Sequence, residues 1–123
     1  MSIAVYFGEI FLKEMQNFPE KDIQKIGDFA RHVANYGFSG LPGRNKMPDA
    51  VPKDDPNRLC KVQYAQNYNL WHYHIGIPEY KSGKHGYLTS EYVLHYIKGD
   101  GFIKIVDMTA HPPLKLPKKE YLI

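Results

Sequence analysis

Apolar residues open the chain on both faces of an extended segment. Across residues 3–12, Ile3, Val5 and Phe7 share one face and Ala4 and Tyr6 the other. This predicts a strand covered on both sides. Across residues 18–36 the period changes to that of a helix. Ile23, Ile26, Ala30 and Val33 form an apolar stripe with Phe29 beside it. Pro19 suits the first helical position, Glu20 and Asp22 suit the positive end of the helix dipole, and Gly37 follows as a stop. Gly27 weakens the pattern by roughly 1 kcal/mol relative to Ala. Residues 39–57 carry Gly40, Gly43, Pro42, Pro48, Pro52 and Pro56 and predict a long irregular connection. Loops of that length inside a domain are often functional.

From residue 58 onward the period of two takes over. Residues 59–64 read as a strand, and Asn67 with Asn69 signals a turn. Residues 70–77 read as a second strand, with Trp71, Tyr73, Ile75 and Ile77 on one face and Leu70, His72 and His74 on the other. Pro78 ends it. A Lys- and Gly-rich loop over 79–86 contains Lys81, Lys84 and His85. Residues 90–98 read as a third strand, in which Val93, His95 and Ile97 oppose Tyr92, Leu94 and Tyr96. Gly99-Asp100-Gly101 is a hairpin turn, residues 102–109 a fourth strand, and the tail from His111 reads as irregular. This order predicts an α+β fold in one domain: an antiparallel sheet of about four to five strands with the N-terminal helix packed on one face. The pattern leaves open whether the His95 set or the Tyr92 set faces the same way as His72 and His74.

Charge changes the picture once the chain is divided. The 123 residues carry 16 basic and 13 acidic side chains, a net charge of +3 that does not announce a nucleic-acid binder. Residues 1–57 hold seven basic and eight acidic groups, whereas residues 58–123 hold nine and five. Five of the six histidines and eight of the ten tyrosines also lie in the second part. No apolar run approaches ~18 residues, so no membrane span is expected. The N-terminus lacks a basic region ahead of its apolar stretch, so no signal peptide is expected. A lone cysteine, Cys60, fits a reducing cytoplasm.

Three chemistries merit weighing. His72 and His74 share a strand face, but there is no Cys pair and no HExxH, so no metal is expected. Cys60 sits among Leu59 and Val62 and reads as a buried structural thiol rather than a nucleophile. Phosphate-loop, dinucleotide and hydrolase-elbow motifs are absent. Metal-free RNA cleavage needs a base for the 2′-hydroxyl proton, an acid for the leaving 5′-oxygen, and cations around the phosphorane. His72, His74, His95 and His111, with Arg58, Lys61, Lys81 and Lys84, permit that chemistry without establishing it. The plain alternative is a soluble sheet with a basic, hydrogen-bonded surface.

Several stretches carry a family resemblance. They are Tyr36-Gly37-Phe38 with Leu41-Pro42-Gly43-Arg44-Asn45, Trp71-His72-Tyr73-His74-Ile75, and the run from Leu88-Thr89-Ser90-Glu91 to Tyr96. Residues 102–108 and Pro113-Leu114-Lys115-Leu116 complete the set. Over roughly residues 18–117 the chain resembles the RelE superfamily of bacterial toxins, and within it the YafO family. The resemblance implies cofactor-free cleavage of mRNA on the translating ribosome, and a cognate antitoxin protein that covers the site. It implies a homodimer or a toxin–antitoxin hetero-oligomer as the assembly. It assigns His74 and His111 as acid/base candidates and Arg44, Lys46 and Arg58 as phosphate contacts. Lys81, Lys84 and His85 become contacts to ribosomal RNA, and His72 a further RNA or phosphate contact beside His74. Two departures stand out. The Lys- and Gly-rich loop between Ile77 and Leu88 differs from the family, and His111 precedes Pro112-Pro113 where a histidine is expected at Leu114. The displaced histidine keeps open a non-catalytic protein on this scaffold acting on another target such as DNA gyrase, and the Tyr-rich sheet edge keeps open an unrelated protein-interaction module.

Overall fold

The computed structural model describes residues 3–82, 88–111 and 114–123. The elements run β1 (Ala4–Phe7), α1 (Glu9–Met15), α2 (Glu20–Tyr36), β2 (Asn45–Lys46), α3 (Arg58–Asn67), β3 (Leu70–His74), β4 (Lys81–Ser82), β5 (Leu88–Thr89), β6 (Tyr92–Lys98) and β7 (Phe102–Ala110). A 3-10 turn at Lys119–Leu122 follows. The fold is α+β, with a five-stranded sheet in the order β1-β7-β6-β3-β2 and a separate β4–β5 pair.

The sheet is mixed rather than antiparallel. The pairs β2–β3, β3–β6 and β6–β7 are antiparallel, and of these β6–β7 is joined by a tight turn, which forces the strands to alternate. Strand β1 is joined to β7 by no hairpin and runs parallel to it, Ala4 opposite Phe102 through Phe7 opposite Ile105.

Two expected strands are helical. The strand over 3–12 stops at Phe7. Gly8 becomes an N-cap, and Glu9–Met15 forms α1, with Glu9 in its first turn and Lys13 in its last, as the dipole favours. Phe11 and Met15, one turn apart, face the core. Residues 59–64 lie in α3. Leu59 and Cys60, read as strand positions, are exposed, and Ala65 is the helix's buried residue. Cys60 is therefore a surface thiol, not a buried one.

Helix α2 lays Ile26, Phe29 and Val33 in one cluster with Tyr73, Ile75, Leu94, Tyr96, Ile103 and Ile105. Phe29 stacks on Tyr73 with ring centroids 4.7 Å apart. Burying each of these side chains contributes roughly 1.5–3 kcal/mol relative to exposure. The opposite sheet face is covered as well. Leu70 and Val106 pack with Ala65 and Tyr64 of α3 and with Leu116 and Leu122 of the tail. The tail is packed rather than loose: Leu114 is buried and Tyr64 donates a 2.7 Å hydrogen bond to the Pro117 carbonyl.

Candidate functional site

Register places four histidines on the sheet face beneath α3 and the tail. In the antiparallel β3–β6 pairing, His72 lies directly opposite His95. Residues directly opposite share a face, so the His95 set joins His72 and His74, and the Leu94/Tyr96 set goes to the α2 side. In the β2–β3 pairing, Lys46 lies opposite His72. Arg44, two residues earlier, accepts the His74 amide through its carbonyl at 2.9 Å. His111 follows β7 and donates its backbone N–H to the Glu91 carbonyl at 2.7 Å.

The close approach of the β2 segment depends on Gly43. A Cβ there would stand 1.9 Å from the His74 carbonyl oxygen. No side chain fits, and the obstructing atom is backbone and cannot swing aside. Gly43 also donates its N–H to the Tyr73 hydroxyl at 3.0 Å.

The four rings touch one another. Ring centroids are 5.7 Å apart for His72–His111, 5.9 Å for His74–His111, 6.0 Å for His72–His95 and 6.4 Å for His72–His74. The His74 and His111 rings stack at an interplanar angle of 28°. His72, His74 and His95 are buried, and His111 is half-buried. Four ring nitrogens are buried without a hydrogen-bond partner among the described residues: His72 Nε2, His74 Nε2, His95 Nδ1 and His111 Nδ1.

Two rings have their other nitrogen fixed. Thr109 donates its hydroxyl to the Lys115 carbonyl at 3.3 Å, which leaves its oxygen to accept from His95 Nε2 at 2.7 Å. That assigns the His95 proton to Nε2 and leaves Nδ1 as a bare lone pair. His74 Nδ1 lies 3.0 Å from both the Ser90 N–H and the Ser90 carbonyl oxygen. The amide serves Nδ1 when it is unprotonated, and the carbonyl serves it when it carries a proton.

Burial is the largest force on these rings, and it favours the neutral form. It holds His72 down to about 2, with His95, His111, Lys46 and His74 adding repulsion. His95 is held down to about 3 by burial and His111. His111 is held down to about 4 by burial, Lys46, His74 and Lys61. His74 is lowered by burial, against its Ser90 hydrogen bond, with Lys46 and Arg44 also lowering it. Lys46 is itself lowered by burial and by Arg44. The charged side chains acting on the four rings, Arg44, Lys46 and Lys61, are all cations. The site is therefore an electropositive surround with neutral imidazoles inside it at pH 7.

Of the residues expected at a site, His72, His74, His111, Arg44 and Lys46 come together. Arg58 does not act on the histidines; its Nε donates to the Val51 carbonyl at 3.2 Å and ties the long loop to α3. Lys81 is exposed on the β4–β5 pair. Lys84 and His85 lie outside the described residues. His95 and Lys61, candidates by residue type that were given no role in the site, also join it, and Thr109 was not singled out at all. Lys61 bonds the Asp55 carboxylate at 2.6 Å and the Leu114 carbonyl at 2.7 Å, anchoring the tail beside His111. Its position became meaningful only on a helix, whereas His95 was signalled by its alternation with Val93 and Ile97.

Among the described residues, no group of three or more His, Cys, Asp or Glu is arranged to hold a metal ion. A separate cavity of about 260 Å³ lies on the α2 side, lined by Lys25, Asp28, His32, Tyr73 and Tyr80 among others. No helix among the described residues is long and apolar enough to cross a membrane. Scans of the chain against protein-family models, curated proteins and solved structures each found no match.

Proposed function

We propose that this protein is a RelE-like toxin of a bacterial toxin–antitoxin pair: a metal-independent endoribonuclease that cleaves mRNA on the translating ribosome in the cytoplasm. The observation that carries the reading is the cluster of His72, His74, His95 and His111 with Lys46 and Arg44 on the same sheet face. Its groups match what phosphodiester cleavage demands. In the proposed reaction the substrate's 2′-oxygen attacks phosphorus and the bond to the 5′-oxygen breaks. One imidazole takes the 2′-hydroxyl proton, and a protonated one returns a proton to the 5′-oxygen. The products are a 2′,3′-cyclic phosphate and a 5′-hydroxyl end. His111, the half-exposed ring, meets the substrate directly, and the stacked His74 supplies the second proton site. Arg44 and Lys46 offset the phosphorane charge. A cognate antitoxin protein would cover this face, and ribosomal RNA would be the second partner.

A second reading has its own observation. The unpartnered nitrogens of His72, His74 and His95, and Nδ1 of His111, are closed to solvent, which suits a non-catalytic toxin on this scaffold that acts on another target such as DNA gyrase. Controlled expression separates the two. Growth arrest with fragmented mRNA, relieved by His74→Ala and His111→Ala variants that keep the wild-type circular dichroism spectrum, supports the ribonuclease. Growth arrest with intact mRNA and an induced DNA-damage response selects the alternative.

A further inference from the structure

The four imidazoles are unusual in what surrounds them. They touch one another, the side chains that act on them from β2 and α3 are cations, and four of their ring nitrogens end in the buried interior without a partner among the described residues. The carboxylates nearby are otherwise placed. Asp55 is engaged by Lys61, Glu91 is exposed, and Asp107, opposite His95 on β7, accepts the Met108 amide at 2.8 Å. The rings thus sit in a positive field to which Lys46 contributes, and their buried nitrogens lack hydrogen-bond partners among the described residues.

His74 is equipped for a change of protonation state. An imidazole nitrogen that faces only an N–H loses its partner when it gains a proton, and one that faces only a carbonyl loses it on giving one up. His74 Nδ1 has both partners at 3.0 Å on the same residue, Ser90, so it gains or gives up a proton without moving. The Ser90 hydroxyl is meanwhile occupied, accepting from Gly76 N–H at 3.0 Å and donating to the Tyr92 carbonyl at 2.8 Å, which holds that backbone in place. Once the ring is an imidazolium, with Nδ1–H on the Ser90 carbonyl, Nε2, the buried nitrogen, carries an N–H with nothing to donate to among the described residues. An oxyanion oxygen beside His111 and Lys46 would be that acceptor.

We propose that this cluster is a proton-coupled oxyanion site, at which a tetrahedral phosphoryl oxyanion and a proton bind together, the proton being taken up by the stacked His74–His111 pair. The proposal rests on the reading that these histidines meet phosphate, and it adds how the site is charged. Free, the cluster is neutral and repels its own protonation. The docked oxyanion supplies the negative charge that the Arg44, Lys46 and Lys61 surround otherwise opposes, so the imidazolium needed as general acid forms only in the complex. The same ligand chemistry occurs in an RNA backbone and in a free ion, and the two are distinguished below.

The test is isothermal titration calorimetry of the whole chain at pH 7 in two buffers of different ionisation enthalpy. One probe is a 2′-deoxy tetranucleotide, which cannot be cleaved and does not titrate near pH 7. The other is inorganic sulfate. Binding should take up between about half a proton and one proton per site, and affinity should fall by up to about tenfold per pH unit from pH 6 to pH 8. Tetranucleotide binding alone with uptake assigns the site to a nucleic-acid backbone; sulfate binding with uptake assigns it to the free ion as well. The His74→Asn variant, checked for a wild-type circular dichroism spectrum, should bind with at most half the wild-type uptake. Binding without a buffer-dependent enthalpy would overturn the proton coupling and leave the phosphate-binding reading standing. Coupled binding by a chain that cleaves no RNA would uphold the coupling and overturn the ribonuclease. Failure to bind either probe would overturn both.

Discussion

A neutral imidazole buried among three others resists protonation, and that resistance appears as a pH dependence of folding. His72, His95 and His111 are held at about 2, about 3 and about 4, and His74 is lowered with them. In the unfolded chain each titrates near 6.5. Below that pH the unfolded state binds more protons than the folded state, so stability falls as pH falls from about 6.5 toward about 4. Asp107 opposes this in part. Burial raises it to about 6, which favours the folded state as acid protonates it below that pH. Four groups against one fix the sign. The melting temperature should drop by at least about 5 °C between pH 7.5 and pH 5.5, and a flat profile in a thermal melt series would contradict the buried neutral cluster. Cys60 gives a second residue-scale check. An exposed thiol on α3 should react fully with a chromogenic disulfide reagent in the native protein, whereas a thiol that reacts only after denaturant would contradict the helix assignment.

At the scale of elements, the site depends on a two-residue strand. Strand β2 reaches β3 because Gly43 lets the backbone pass the His74 carbonyl. Gly43→Ala should push β2 away, moving Arg44 and Lys46 from the histidines. The expected cost is roughly 2 kcal/mol or more, as for other clashes in packed regions. Chemical denaturation checks it, and a change below about 0.5 kcal/mol would mean that β2 is not fixed there. Legibility of the fold divides along the same elements. Helix α2 was readable because Ile26, Phe29 and Val33 form a long stripe ended by Gly37, the C-cap with φ of 69°. The β6–β7 hairpin was readable from Gly99-Asp100-Gly101, and the shared face of His72 and His74 from a period of two. Helices α1 and α3 were not. The window over 3–12 joins a real strand to a helix across Gly8, and the apolar residues on either side hide the change of period. In α3 the apolar Leu59 and Cys60 face solvent, so the short run carries no clean helical stripe, and short apolar runs do not distinguish strand from helix. Strand β2 escaped notice because two residues give no period. The pairing that brings Lys46 to His72 is a long-range contact that no local pattern encodes.

Across the whole molecule, the net charge of +3 conceals the arrangement that matters. Arg44 and Lys46 come from the acidic part of the chain and the clustered histidines from the basic part, and the sheet brings them to one face. Half of the site was therefore legible as residue types, while the convergence was not. Helix α3 and the tail cover that face, with Lys61 tying them together through Asp55 and the Leu114 carbonyl. This cluster is the cleavage centre we propose. Its most direct test maps 5′-hydroxyl ends across the mRNA of cells expressing the chain, beside cells expressing His111→Ala. New 5′-hydroxyl ends inside coding regions are predicted for the wild type, reduced at least ~100-fold in the variant, as for loss of an acid/base group. Intact mRNA in arrested cells, or ends that persist unchanged in the variant, would contradict it.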